Sequence, residues 1–100
     1  MAKRSSSMQT VHDQKVRQEA QRLRRGGWNV LADLPRYQKP TSIGQSGFTP
    51  DIEATKRGHR RLVEVETPSS LVTDKNQHSA LRRSAAQRPN TTFDIIVTDK

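Results

Sequence analysis

Cysteine is absent from this 100-residue chain, so disulfide bonds and thiolate metal sites are both excluded. Hydrophobic residues make up only 30% of the sequence and aromatic residues 4%, which leaves room for one modest core. No segment approaches the roughly 18 consecutive apolar residues of a membrane-spanning helix. These scarcities predict a cytoplasmic protein with a single domain and no role at a membrane.

Basic residues outnumber acidic residues by 18 to 10, which gives a formal net charge of +8. An excess of that size attracts polyanions at long range, so nucleic acid is the first candidate partner. Residues 1–10 are polar and basic with no apolar run behind them. We therefore expect a flexible basic tail there, and not a secretory signal.

The apolar residues are gathered into short segments, which argues against disorder throughout the chain. Segments 28–34, 62–65 and 93–98 predict buried strands. Before them, the helical spacing of apolar residues over 11–25 predicts a strongly basic helix, which Gly26 and Gly27 would end.

Two segments on either side of a short turn alternate between polar and apolar residues, at 51–55 and 60–66, and so predict a β-hairpin. A second helix is predicted from 73 to 88. The element order is therefore αβββαβ, an α/β fold within residues 11–100. The connection from 35 to 49 is long for so small a domain, and we expect it to be a mobile, functional loop.

Four carboxylates are predicted to share one face of the hairpin, because alternate side chains of a strand point the same way. They are Asp51, Glu53, Glu64 and Glu66. Like charges so close together require neutralisation, by a divalent cation or by arginines. Oxygen ligands without a cluster of histidines favour Mg²⁺ or Mn²⁺ over Zn²⁺. The alternative is ordinary ion pairing with the basic residues of the hairpin, Lys56, Arg57, Arg60 and Arg61.

The pair Pro50-Asp51, followed by a hairpin turn and then residues 63–66 (Val-Glu-Val-Glu), resembles the signature of the PD-(D/E)XK nuclease superfamily, in particular its small Holliday-junction-resolvase-like members. The resemblance extends over about residues 11–98 and implies a restriction-endonuclease-like core, a central mixed four-stranded sheet flanked by two helices. It implies a metal-dependent endonuclease acting on DNA more than RNA, with Asp51 and Glu64 as metal ligands, the Val65 carbonyl as a third, and a symmetric homodimer.

Glu66 stands where this superfamily usually has a lysine that orients the attacking water. The resemblance therefore makes Glu66 a ligand or general base, and Lys75, near the start of the second helix, a substitute for the missing lysine. Gln77 and His78 are candidates to contact a phosphate or a metal-bound water. The alternative for Lys75, Gln77 and His78 is a solvent-facing polar role.

Exposed arginines are expected to track the nucleic-acid backbone without reading its sequence. The candidates are Arg17, Arg22, Arg24, Arg25, Arg82 and Arg83. Glu19 is a candidate for the acid that many superfamily members carry on the first helix, or a partner of Lys15 or Arg22 at helical spacing. His12 and His59 have no partner that the sequence identifies.

Two other functions remain open at this point. Glu66 in place of lysine is consistent with a nuclease fold that has lost catalysis and binds nucleic acid. The basic composition is also consistent with a small structural nucleoprotein whose acids only balance its arginines.

Overall fold

The computed structural model describes residues 6–44 and 47–98 of the chain. Their regular elements follow the order αβββααβ. The helices and strands are α1 (Ser6–Arg25), β1 (Asn29–Ala32), β2 (Ile52–Lys56), β3 (His59–Glu66), α2 (Pro68–Thr73), α3 (Lys75–Ala86) and β4 (Thr91–Val97). The expected α/β class is therefore confirmed.

The four strands form one mixed sheet in the order β1-β2-β3-β4. The pairings of β1 with β2 and of β2 with β3 are antiparallel, whereas β3 and β4 are parallel. A parallel pair requires a crossover, which α2 and α3 supply here. The expected mixed four-stranded sheet is confirmed, while residues 6–44 and 47–98 contain three helices where two were expected.

One face of the sheet packs against α1. Its apolar side chains come from alternate positions of β2 and β3, as the period of two requires. This core comprises Val16, Ala20, Leu23, Val30, Ala32, Leu34, Ile52, Ala54, Val63 and Val65.

The opposite face of the sheet packs against α3. Leu62 from β3 meets Leu81 and Ala85, which lie four residues apart on one side of that helix. Ile43 completes this cluster from the loop between β1 and β2, where it forms an isolated bridge with Phe48. The loop expected at 35–49 is therefore attached to the core through at least one buried side chain.

The boundaries of the helices differ from the sequence prediction. Helix α1 begins at Ser6, before the predicted residue 11, while residues 1–5 of the predicted tail lie outside the described part. The predicted second helix, 73–88, corresponds to α3 (Lys75–Ala86), and α2 (Pro68–Thr73) is an additional helix that precedes it. Thr67 starts α2 because its hydroxyl accepts the backbone N–H of Ser70, whose own hydroxyl accepts the backbone N–H of Thr67. Asp74 separates α2 from α3.

The first strand is also shorter than predicted, since β1 covers only Asn29–Ala32 of the predicted 28–34. Within residues 6–44 and 47–98, no helix has both the length and the apolar character needed to cross a bilayer.

Candidate metal centre

Asp51 and Glu64 lie opposite each other where the pairing of β2 with β3 ends. The backbone N–H of Asp51 donates to Oε1 of Glu64 at 3.0 Å, and the backbone N–H of Val65 donates to Oδ2 of Asp51 at 2.8 Å. Beyond the last paired residues of β2 and β3, these backbone N–H groups therefore donate to side-chain oxygens and not to backbone carbonyls. This arrangement holds both carboxylates at one end of the sheet.

Glu64 and Glu66 leave β3 on the side that faces α3, and both are almost fully buried, at 3% and 1% exposure. Two consecutive residues of α3 contact them. Gln77 donates through Nε2 to Oε2 of Glu64 at 3.3 Å, and Nε2 of His78 lies 2.9 Å from Oε1 of Glu66. The start of α3 therefore covers the two carboxylates with an amide and an imidazole.

The Glu64 carboxyl holds its proton at neutral pH, because its surroundings raise its pKa from 4.5 to about 10. Burial is the largest cause, since it penalises the charged form, and the negative charges of Asp51 and Glu66 add to it. A hydrogen bond with the Glu66 side chain acts in the same direction, while the Asp51 backbone N–H opposes it. Two buried carboxylates in contact cannot both ionise cheaply without a compensating cation.

Three ligand atoms from Glu64, Glu66 and His78 lie within 4.8 Å of one another, and all three residues are buried. Two carboxylate oxygens and one imidazole nitrogen form a donor set suited to a divalent transition metal. Such an ion would replace the proton on Glu64 and neutralise both carboxylates. The residues present therefore fit a divalent cation.

Asp51, the first predicted ligand, has a histidine partner that the sequence did not reveal. Nε2 of His12 lies 3.2 Å from Oδ2 of Asp51, and Nδ1 lies 3.0 Å from Oδ1 of Asp13. His12 is buried at 6% exposure, in line with Val16 one turn further along α1. Its position in that apolar stripe is the signal that could have identified it as facing the sheet.

The structure brings Asp51, Glu64, Glu66, Gln77 and His78 together at one end of β3. Lys75 begins α3 and is exposed, and it forms no ion pair with any carboxylate of residues 9–44 and 47–98.

Glu19 pairs with both of its helical neighbours, at 2.8 Å from Arg22 and 3.7 Å from Lys15. This contact matches the ion-pair alternative for Glu19.

Glu53 shares the face of the cluster but has partners of its own. Its Oε1 accepts hydrogen bonds from the backbone and the hydroxyl of Thr41, and its Oε2 pairs with Arg60 at 2.8 Å. The ion-pair alternative is therefore correct for this member of the four predicted carboxylates.

The six arginines proposed for backbone contacts are all exposed: Arg17, Arg22, Arg24, Arg25, Arg82 and Arg83. They do not form one surface around the carboxylates. Arg24 and Arg25 lie in the last turn of α1, which leads into the hairpin end of the sheet, whereas Arg82 and Arg83 lie on α3 across the sheet.

Comparison of this chain with protein-family models, with curated proteins and with solved structures finds no match.

Proposed function

We propose that this protein is a divalent-metal-dependent nuclease that hydrolyses phosphodiester bonds in nucleic acid, and in DNA in preference to RNA. The observation that carries the proposal is the buried group of Glu64, Glu66 and His78, whose ligand atoms lie within 4.8 Å of one another. The net charge of +8 supplies the attraction for a polyanionic substrate. The mixed four-stranded sheet and the contact of Asp51 with Glu64 support the resemblance to the PD-(D/E)XK superfamily, although Asp51 is not a member of the ligand group.

A bound divalent ion would supply charge that polarises a phosphate oxygen and lowers the pKa of a water molecule. The protein's own residues would hold the ion, orient its ligands and contact the phosphate. Glu64, Glu66 and His78 would hold the ion, while Gln77 and the Asp51 backbone N–H fix the orientation of the Glu64 carboxylate. Lys75, exposed at the start of α3, is the cation available to a phosphate group at this end of the sheet.

The imidazole of His78 bears on which ion is bound. The sequence predicted Mg²⁺ or Mn²⁺ because only carboxylate oxygens were expected as ligands. Mg²⁺ favours oxygen ligands and keeps several waters. A nitrogen donor among buried carboxylates favours Mn²⁺ within that pair. We therefore propose Mn²⁺ as the ion that supports activity best, with Mg²⁺ as a weaker substitute.

The symmetric homodimer implied by the resemblance belongs to the same proposal. One chain offers one such group of ligands among its described residues, and cutting both strands of a duplex calls for two.

A second candidate function is nucleic-acid binding without catalysis. The observation that favours it is the hydrogen bonding within the cluster, where Glu64 keeps its proton and hydrogen-bonds to Gln77 and Glu66. In that case the carboxylates are a buried structural network, and Glu66 in place of lysine marks the loss of hydrolysis.

Incubation with supercoiled plasmid and with a labelled four-way junction, in Mn²⁺, in Mg²⁺ and in EDTA, separates the two candidates. The nuclease is expected to cut in Mn²⁺, and Glu64→Gln, which keeps the shape but removes the anionic ligand, is expected to abolish cutting. Glu19→Gln is the matched control, because that carboxylate pairs with Arg22 on α1 and should be dispensable.

Retention of DNA without cleavage in either metal would support the binding module. Cleavage by Glu64→Gln at the wild-type rate would contradict the nuclease proposal as stated.

A further inference from the structure

We infer that the hairpin end of the domain, opposite the carboxylates, carries a separate surface that binds the nucleic-acid backbone. This inference rests on the proposed function only in taking the polyanion to be nucleic acid. The surface is called here the tryptophan patch, and it consists of Arg24, Arg25, Trp28, Lys56, Arg57 and Arg61.

Trp28 is the centre of the patch, because two cations from the β2–β3 hairpin lie against its half-buried ring. Nζ of Lys56 is 5.9 Å from the ring centroid, and the guanidinium of Arg61 is 5.6 Å from it. Nζ of Lys56 also donates to the carbonyl of Gly26 at 2.6 Å, which ties the hairpin to the turn after α1. The positions of these charges are therefore fixed by the fold.

The charges of the patch are largely uncompensated. Arg61 pairs with Asp94 at 3.2 Å, but no carboxylate of residues 9–44 and 47–98 forms an ion pair with the other four cations. Arg25 and Arg57 are exposed, and Arg24 is exposed and lies over the ring of Tyr37 at 4.2 Å. Concentrating like charges at one place is unfavourable in the free protein, and an anionic partner would relieve that repulsion.

The patch is distinct from the metal centre. Strand β3 runs from the hairpin to the cluster, and Arg61 precedes Glu66 on it by five residues. At a rise of roughly 3.3 Å per residue, this places the two Cα atoms about 17 Å apart, or roughly five base pairs of duplex. Arg61 also lies on the face of the sheet that carries Val63 and Val65, whereas Glu66 lies on the face of Leu62, so the patch and the cluster are separate sites.

The chemistry of the patch favours a nucleic acid over an acidic protein. Its donors are mainly arginines, whose planar forks match phosphate oxygens, and they surround an aromatic ring. Exposed arginine and lysine side chains of this kind contact the phosphates of a duplex without reading its sequence.

Trp28 is the only tryptophan of the chain, so its fluorescence reports directly on the patch. The full-length protein is titrated in EDTA with an unlabelled 20-base-pair DNA duplex, and its affinity for the same duplex labelled with fluorescein is measured by anisotropy at several salt concentrations. The test variant is Arg25→Gln with Arg57→Asn. Asparagine is chosen because Arg57 has a positive φ of 50°.

The matched control is Arg36→Asn with Lys39→Gln, which removes the same charge from exposed positions of the loop between β1 and β2, and Arg36 has a positive φ as Arg57 does. The duplex is expected to change Trp28 fluorescence without any metal. The test variant is expected to bind at least tenfold more weakly at about 0.1 M salt and to lower the salt slope by about 2, at roughly 0.9 per phosphate contact. The control is expected to change the affinity by less than about threefold.

Unchanged Trp28 fluorescence in saturating duplex, or a control that weakens binding as much as the test variant, would overturn the inference. Displacement of the duplex by polyglutamate at equal charge concentration would overturn its assignment to nucleic acid. Plasmid cleavage in Mn²⁺ distinguishes failure of the patch from failure of the nuclease proposal. If cleavage persists while the test variant binds as the wild type does, only the patch fails; if Trp28 responds but no cleavage occurs, only the nuclease fails.

Discussion

Replacing Glu64 with glutamine should remove the pH dependence that the buried carboxylate imposes on stability. The pKa of Glu64 is about 10 in the folded chain and 4.5 as an isolated side chain. Between those values the folded state holds a proton that the unfolded state has released. The stabilisation is therefore complete below about pH 4.5 and is lost as the pH rises toward 10.

The size of this change in stability follows because the folded and unfolded states differ by one bound proton, at Glu64. Stability of the wild type should fall relative to Glu64→Gln by about 1.4 kcal/mol for each pH unit, which is about 3 kcal/mol between pH 5 and pH 7. Glutamine fits the same space and has no proton to lose, so its curve omits this slope. The loss is a large share of the roughly 5–15 kcal/mol that stabilises a domain.

The assay is urea unfolding followed by Trp28 fluorescence in EDTA, at whole pH units from 5 to 8. The difference between wild type and Glu64→Gln cancels the titration of all other groups to first order. Glu19→Gln controls for the removal of one carboxylate. A difference in unfolding free energy that does not change with pH would refute the reasoning, because it would mean that Glu64 is ionised in the folded protein.

Two further predictions concern the packing around the site. Gly44→Ala should destabilise the protein by at least 1 kcal/mol more than Gly47→Ala, on the order of an overpacked contact, in thermal or urea unfolding. Both glycines have positive φ, but a Cβ on Gly44 would clash with Oγ of Ser84, while one on Gly47 would meet no atom within 4 Å among residues 6–44 and 47–98. Equal losses would therefore contradict the docking of this loop on α3. His12→Ala should cost about 1–3 kcal/mol because it removes a buried partner of Asp51. Asp13→Ala, which removes the more exposed partner of His12, should cost less, and the opposite order would show that the contact with Asp51 is not the stabilising one.

The β2–β3 hairpin was predictable because its information is local. Ile52 and Val63 alternate with Asp51 and Glu64 at a period of two, and the same alternation places them on opposite faces of the sheet. The position of Glu64 and Glu66 on the face away from the α1 core therefore followed from the sequence alone. Helix α2 was not predicted, because it is only six residues long and begins through the hydroxyl contacts of Thr67 with Ser70, not through an apolar period.

The histidines of the site were harder to predict, because their partners lie on other elements. His78 meets Glu66 only after Leu81 and Ala85, three and seven residues later on the same side of α3, have packed against the sheet. His12 meets Asp51 across 39 positions of sequence once α1 has docked. Both histidines continue an apolar stripe, which is the pattern that would have pointed them toward the sheet.

The most direct test of the proposed metal centre is calorimetric titration of the protein with Mn²⁺ at pH 7 in two buffers of different protonation enthalpy. We predict one Mn²⁺ per chain and the release of about one proton, because the ion must displace the proton of Glu64. Glu64→Gln should weaken binding by at least about tenfold and remove the proton release. Binding without proton release, binding that Glu64→Gln leaves unchanged, or no binding at all would contradict the assignment of Glu64, Glu66 and His78 as a metal centre.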